Sequence, residues 1–179
     1  MYAAASDPEL WRWTTTHIAT LDDMRDYVTA ALQAQRSGTA LPFATIDATS
    51  GEVIGSTRFG NIDLTNGRVE IGWTWLRRDH QRTACNTEAK YLMLRHAFEV
   101  LGCTRVELKT DALNERSRAA IRRLGAVEEG TLRAHMRTVS GRLRDTVYYS
   151  ILDREWPAVK ARLEEMLGST YCGELFTAG

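Results

Sequence analysis

The sequence predicts a mixed α/β (α+β) fold in which helices flank one largely antiparallel sheet. Two hairpin signals, Asn66-Gly67 and Ser140-Gly141, lie on either side of a strand–helix–strand–helix series. The helix predicted at Thr87–Leu101 has an apolar face wide enough to require packing against a sheet. The chain has 179 residues, of which 44% are hydrophobic, so it can bury the core of one such domain.

Helix caps, turn residues and alternating apolar positions define the predicted elements. Thr20 and Asn114 are good N-caps, and Gly38, Gly102 and Gly125 lie just past helix ends. Apolar and polar residues alternate along the strands, which turn residues separate. The predicted elements are, in order, helix Thr20–Arg36, strands Leu41–Ile46, Val53–Phe59 and Val69–Leu76, helix Thr87–Leu101, strand Arg105–Thr110, helix Asn114–Leu124, strands Val127–Val139 and Leu143–Leu152, and a helix from Pro157 to about Leu167.

Bulk properties exclude several classes of protein. No repeat or low-complexity linker interrupts residues 1–167, which predicts a single domain, with a flexible tail at 168–179. Basic and acidic side chains balance at 23 each, which disfavours nucleic-acid binding. No apolar run is long enough to span a bilayer, and the N-terminus does not have the pattern of a secretory signal. Cys85, Cys103 and Cys172 have no metal-site spacing, so we expect no metal, free thiols and a cytoplasmic location.

The strand, loop and helix start between Val69 and Lys90 form the first candidate site. A loop that leads from a buried strand into a helix presents backbone N–H groups, and the helix dipole adds to their attraction for an anion such as a phosphate. Ala84, Cys85 and Asn86 are small enough to let a ligand approach the backbone, and nearby arginines at 77, 78 and 82 could contact phosphate. The alternative is an ordinary surface loop with solvated arginines.

Several motifs follow one another in the chain, beginning with Gln81–Asn86 and Thr87-Glu88-Ala89-Lys90, continuing with Asn114 and Ser117, and ending on the last strand. In this order they resemble the GNAT N-acetyltransferases, and among them the RimJ/RimL-like branch, which is named for acetylating ribosomal-protein N-termini. The acetyl-CoA-binding segment of that branch is matched by Gln81–Lys90. The branch's N-x-x-S helix start is matched by Asn114 and Ser117, and its later L-G by Leu124-Gly125. Arg144-Asp145 and Tyr148-Tyr149-Ser150 on the last strand also match. The likeness covers roughly residues 10–167.

The resemblance implies a GNAT fold whose sheet is splayed at the cofactor site, and acetyl transfer from acetyl-CoA to an amine by direct attack in a ternary complex. It implies Ser117 as general acid to the departing thiolate; a serine bonded within the first helical turn is the alternative. Glu70, or His135 on a strand predicted to face it, would be the base; a salt bridge to an arginine and a satisfied strand histidine are the alternatives. The implied cofactor-binding residues are Thr74, Trp75, Leu76, Gln81, Arg82, Thr83, Ala84, Cys85, Asn86, Thr87 and Asn114.

Two departures from the family pattern stand out. Ala84 and Asn86 replace small glycines, so either would be strained where positive φ is required. The family's usual first strand has no counterpart before Asp7–Trp13, so either the true start lies upstream or the sheet lacks this strand. In the second case Leu41–Ile46 would have an exposed edge that a homodimer could cover.

The acceptor is left open by the sequence. A protein or peptide N-terminus fits the branch, whereas a small-molecule amine, including an antibiotic or polyamine, fits other relatives. A CoA-binding module with little catalysis is a second hypothesis, and RNA binding through the arginines of 116–123 is a third. Four tryptophans, Trp11, Trp13, Trp73 and Trp75, would either line an acceptor pocket or belong to the core.

Overall fold

A computed structural model describes residues 1–168 of the chain. Its helices are α1 (Tyr2–Ala5), α2 (Leu21–Arg36), α3 (Cys85–Arg95), α4 (Glu115–Leu124) and α5 (Trp156–Leu167). Its strands are β1 (Ala40–Ile46), β2 (Val53–Asp63), β3 (Arg68–Leu76), β4 (Arg105–Asp111), β5 (Val127–Arg137) and β6 (Leu143–Leu152). Short 3-10 turns lie at Pro8–Leu10, Arg78–His80 and Asp153–Glu155, and a π-helical turn at His96–Val100 continues α3. The predicted mixed α/β architecture is confirmed.

The six strands form one sheet in the order β1-β2-β3-β4-β6-β5. Every neighbouring pair is antiparallel except β3 and β4. The main core lies on the face covered by α3 and α5, where side chains such as Phe59, Leu94 and Tyr149 are fully buried. A smaller cluster on the other face joins α1 and α2 to the sheet through Trp11 and Trp75. The two clusters place the sheet between two unequal layers of helices.

The parallel strands β3 and β4 separate after a short stretch of pairing. Only Arg68–Glu70 of β3 pairs with Arg105–Glu107 of β4. Beyond Glu70 and Glu107, the edges that the two strands turn toward each other have no strand partner within residues 1–168, although each strand still pairs with its outer neighbour. Backbone N–H and C=O groups left unpaired in this way are available to a ligand. The splay expected at the cofactor site is therefore present.

Strand β1 forms one edge of the sheet, as expected if the usual first strand is lacking. Within residues 1–168 no strand precedes Ala40, and β1 pairs only with β2. Helix α2 leads into β1 and packs against it. The outer edge of β1 thus has no strand partner in the described part of the chain.

Several boundaries differ from the sequence prediction, two of them at predicted loops. The hairpin at Asn66-Gly67 is a four-residue turn, Leu64–Gly67, in which only Gly67 has positive φ (63°) and its N–H donates to the Leu64 carbonyl. A longer loop with one left-handed glycine replaces the two-residue turn because Asp63 pairs with Arg68, which leaves four residues between the strands. Helix α3 begins at Cys85 rather than Thr87, so the last two residues of the predicted loop form its first turn.

None of the helices within residues 1–168 combines the length and apolar character needed to cross a membrane. Apart from Gly168, the predicted tail lies outside the described residues.

Candidate functional site

A bulge in β3 lies beside the opening between β3 and β4. Arg58 of β2 pairs with Gly72, whereas Ser56, two residues away, pairs with Trp75, so β3 has one extra residue between these pairs. Trp73 takes up the irregularity with φ of 50°, which is uncommon for a bulky residue. As a result the Trp73 ring contacts Arg58, whereas the neighbouring Thr74 hydroxyl lies 2.8 Å from that of Thr57. Of the predicted cofactor-binding residues on this strand, Thr74 is exposed, and Trp75 and Leu76 are buried.

The glycine-free loop at 81–86 avoids the strain expected at Ala84. Ala84 has φ of −66° and immediately precedes α3, and Asn86 lies in the first turn of that helix. The positive φ is instead at Arg82, at 64°. The hydroxyl of Thr83 accepts a hydrogen bond from the Cys85 N–H at 3.3 Å. The N–H groups of Asn86 and Thr87 have no acceptor among the described residues, as is usual for the first turn of a helix and suitable for an anion.

Two side chains join this loop to α4 on the other side of the opening. Gln81 donates to the Leu76 carbonyl at 2.8 Å and accepts from Arg116 at 2.8 Å. The buried hydroxyl of Thr87 accepts from Arg123 at 2.9 Å. A cavity of about 300 Å³ lies here, and its lining includes Gln81, Asn114, Arg116 and Trp13. The structure therefore brings together the two motifs that the sequence could only place in order.

The arginines near the loop differ in their availability. Arg77 pairs with Glu52 and Asp79, each at 2.8 Å, and these hydrogen bonds raise the pKa of its guanidinium further. Arg78 has a 79% exposed side chain and lies 3.8 Å from Asp7, and Arg82 is also exposed. Arg78 and Arg82 are thus the two of the three predicted arginines that are free to reach a phosphate.

The arginines of α4 are held by protein groups, which argues against a nucleic-acid surface there. Each donates to a side chain: Arg116 to Gln81, Arg118 to Tyr149 and Glu115, Arg122 to Glu128, and Arg123 to Thr87.

Glu70 is almost fully buried, with 2% of its surface exposed, at the point where β3 leaves β4. One carboxylate oxygen accepts from Asn61 at 2.7 Å and lies 2.9 Å from the Lys109 amine. The salt bridge that the sequence left as an alternative thus exists, but its partner is a lysine rather than an arginine. The placement of His135 also requires a correction, because β4 and β6 lie between its strand, β5, and β3. His135 is exposed, and its ring contacts Tyr148 edge-on at 5.9 Å.

Asn114 and Ser117 lie at the start of α4, on the wall of the opening that faces Gln81. The Asn114 side chain accepts from the Ser117 N–H at 3.1 Å, so Asn114 is the N-cap, and it also lines the cavity. The Ser117 side chain is half-buried, and its hydroxyl bonds to nothing within the part of the chain that the structure describes. The hydroxyl is free for another partner.

The four tryptophans divide between the core and the site. Trp11 and Trp75 are core residues, exposed by 4% and 5%. Trp73 is 41% exposed, and Trp13 lines the cavity. The core interpretation therefore holds for Trp11 and Trp75, and the pocket interpretation stays a prediction for Trp13 and Trp73.

Lys90 is a polar residue of this region that sequence reasoning missed. Its amine donates to the Thr74 hydroxyl at 2.6 Å and to the Thr57 hydroxyl at 3.1 Å. The side chain is 5% exposed, and burial lowers its pKa from 10.5 to about 7. The sequence signal was a lysine in the buried stripe of α3, between Thr87 and Leu94 at helical spacing.

Comparisons with known proteins agree with this geometry. A family model described as "Acetyltransferase (GNAT) domain" matches residues 1–127. A Bacillus subtilis (strain 168) protein named "Putative ribosomal N-acetyltransferase YdaF" is 36% identical over 110 residues, which cover 62% of this chain and 59% of that protein. The chain thus spans less than two thirds of that relative, whose name supports the RimJ/RimL-like branch.

Two further proteins match over most of their length. A Bacillus licheniformis protein named "Uncharacterized N-acetyltransferase p20" is 32% identical over 152 residues, covering 84% of each chain. The crystal structure of a GCN5-related N-acetyltransferase from Brucella melitensis superposes with a TM-score of 0.86 at 34% identity, covering 93% of this chain and 76% of that one. With its splayed sheet and its match to the family model, the chain belongs to the GNAT acetyltransferase family.

Proposed function

We propose that the protein is a cytoplasmic, acetyl-CoA-dependent N-acetyltransferase that acetylates a primary amine by direct attack in a ternary complex. The observation that carries the proposal is the opening between β3 and β4, with unpaired strand edges inside it. Free N–H groups at the start of α3 and the exposed Arg78 and Arg82 flank its mouth, which suits a pyrophosphate. The edge of β3 at Thr74–Leu76 suits the amide-bearing pantetheine arm. Acetyl-CoA supplies the activated acetyl group.

The chain's own residues then have three tasks. The unpaired β3 backbone near the bulge donates to the oxyanion that forms on the attacked carbonyl. Ser117, whose hydroxyl has no partner within residues 1–168, donates a proton to the departing thiolate. An α-amine has a pKa of about 8, so part of the acceptor is already neutral at pH 7 and the base only relays a proton. Glu70 is the stronger candidate because it lies beside the opening, whereas His135 is three strand positions away.

Calorimetry and thiol release test this proposal. The wild type should bind acetyl-CoA and release CoA thiol with at least one member of a panel of amines and N-terminal peptides. Ser117→Ala should lower kcat by roughly a hundredfold or more and leave the KM for acetyl-CoA nearly unchanged. Ser37→Ala, at the exposed end of α2, is the matched control and should behave as wild type.

The outcomes separate the hypotheses. Absence of acetyl-CoA binding would refute the proposal. Binding without thiol release for any acceptor would favour a CoA-binding module instead. If Glu70→Gln leaves turnover intact, Glu70 is not the base, and His135 or water has that role.

A further inference from the structure

Three buried polar side-chain atoms without a hydrogen-bond partner occur on one face of the sheet, beside the bulge. Within the described residues, Tyr27 Oη, Arg58 Nε and Trp75 Nε1 have no partner. Ring contacts connect these three residues. The ring centroid of Trp11 lies 6.2 Å from that of Tyr27 and 5.7 Å from that of Trp75, and the Arg58 guanidinium carbon lies 5.0 Å from the Tyr27 ring centroid. Each of the three atoms can donate a hydrogen bond. A buried donor without an acceptor costs free energy, which a bound acceptor group would recover.

Arg58 is the strongest of the three because it carries a charge. It is only 7% exposed, and its guanidinium lies between the rings of Tyr27 at 5.0 Å and Trp73 at 5.1 Å. No carboxylate within residues 1–168 forms an ion pair with it. Cation–π contacts stabilise a cation by less than the burial of an unpaired charge destabilises it. This site therefore favours an anion.

The rest of this sheet face holds a second buried cation without an ion pair. Trp73 lies between two cations, because the Lys109 amine is 5.8 Å from its ring. Arg144 is 8% exposed, and burial lowers the pKa of its guanidinium even with two carboxylates nearby. The buried carboxylates of the face, Glu70 and Asp111, pair with Lys109 and Arg142, whereas the buried Arg58 and Arg144 have no ion-pair partner within residues 1–168. Two unpaired buried cations disfavour a polyamine or another polycationic acceptor.

We propose that Arg58, with the Tyr27 hydroxyl beside it, binds a carboxylate on the acceptor, so that the substrate is an amine that also carries an anionic group. The inference rests on the proposed acetyl transfer, because it assigns this face to the acceptor. The bulge connects the two sites: Trp73 contacts Arg58, and Thr74 lies on the strand edge assigned to the pantetheine arm. A carboxylate held at Arg58 would position a nearby amine toward that edge. The carboxylate could come from a free amino acid or from an acidic side chain near a peptide N-terminus.

Matched acceptors test the inference in the wild type. One pair is β-alanine against propylamine, and the other is a peptide amide beginning Asp-Ala against one beginning Asn-Ala. The carboxylate-bearing member of at least one pair should have a kcat/KM at least roughly tenfold higher, as expected for a charge-assisted hydrogen bond. The pair that shows the preference identifies the source of the carboxylate. Equal or better turnover of the neutral member in both pairs would overturn the inference and leave the acetyltransferase proposal standing.

Variants of Arg58 and Tyr27 test whether these side chains cause the preference for a carboxylate-bearing acceptor. Arg58→Met should reduce the ratio within the preferred pair to about one, and Arg58→Lys should keep part of it. Arg36→Met, an exposed arginine at the end of α2, is the control and should keep the full ratio. Tyr27→Phe should lower the ratio severalfold, and it serves as the test if Arg58→Met does not fold. A ratio unchanged in every folded variant would overturn the assignment to Arg58.

A binding measurement separates this inference from the proposed function. The acetylated forms of the same four compounds are titrated into the wild-type protein in the presence of CoA, and their Kd values are compared by calorimetry. Tighter binding of the carboxylate-bearing forms, by roughly tenfold, supports the inference even when no acceptor gives turnover. Equal affinities within both pairs refute it.

Discussion

Replacement of Lys90 by Met should abolish a rise in stability with pH that we expect of the wild type above neutrality. The Lys90 amine has a pKa of about 7 in the folded protein, because it is buried and its hydrogen bonds within residues 1–168 go to two threonine hydroxyls. In the unfolded chain the same amine has the ordinary lysine value of 10.5. Between these values the unfolded chain binds a proton that the folded protein does not. The free energy of unfolding therefore increases as pH rises from about 7 toward 10.5, and it decreases again as pH falls toward 7.

The magnitude follows from the width of the window. Each pH unit contributes about 1.36 kcal/mol, so the wild type should gain up to about 2.7 kcal/mol between pH 7 and pH 9. The measurement ends at pH 9 because burial raises the pKa of the Cys103 thiol and of the Tyr91 phenol. Those groups lose their protons first in the unfolded chain, which lowers stability at higher pH.

Urea unfolding at pH 7, 8 and 9 measures the effect. The Lys90→Met variant should show a nearly flat profile over this range, and at pH 7 or below it should be at least as stable as the wild type. Lys160→Met is the matched control: Lys160 pairs with Glu99, which raises its pKa, so its amine stays protonated in both states up to pH 9. Equal slopes in the wild type and Lys90→Met would refute the reasoning.

Three further changes test other parts of the site. A Cβ at Gly60 would lie 2.3 Å from the Trp73 ring, so Gly60→Ala should lower the unfolding free energy by roughly 1–3 kcal/mol and shift the tryptophan fluorescence; an unchanged spectrum would contradict the contact. Thr87→Val removes the acceptor of Arg123 at the start of α3, so the KM for acetyl-CoA should rise severalfold while kcat is kept; a fall in kcat alone would argue against a binding role. Arg105 stabilises the Glu129 carboxylate and lowers its pKa to about 2, so the stability that this ion pair contributes is lost as pH falls from 4.5 toward 2. In acid unfolding, Glu129→Gln should therefore lose less stability than the wild type over that range. The difference should be no more than about 1 kcal/mol because the Glu129 side chain is 39% exposed.

Local signals were sufficient for the elements of the fold. Thr20 and Asn114 are N-caps as predicted, and Gly125 ends α4 in the left-handed conformation. The errors are at turns, where tertiary pairing decides. Asn66-Gly67 would suit a two-residue turn, but the pairing of Asp63 with Arg68 leaves four residues between the strands.

The candidate site, like the fold, could be predicted from local signals but not from contacts between distant parts of the chain. Spacing and resemblance identified Gln81 and Asn114, which line one cavity, and the family pattern predicted the separation of β3 from β4. They could not show that Glu70 pairs with Lys109, because that contact joins two strands far apart in the sequence. The position of His135 was misjudged for the same reason, since only the strand order reveals that β4 and β6 lie between it and Glu70.

The buried cations depend most on three-dimensional context, and their arrangement bears on catalysis. Thr57 and Arg58 are neighbours in β2, and strand alternation directs them to opposite faces. On one face the hydroxyl of Thr57 accepts from Lys90, and on the other Arg58 stacks on Trp73. The bulge at Trp73 and Thr74 is therefore flanked by a buried cationic group on each side, and neither group has a carboxylate partner within residues 1–168. Two such groups favour negative charge at the bulge, which is where the proposed mechanism develops an oxyanion. Because the pKa of Lys90 is about 7, the contribution of Lys90 should weaken above neutral pH.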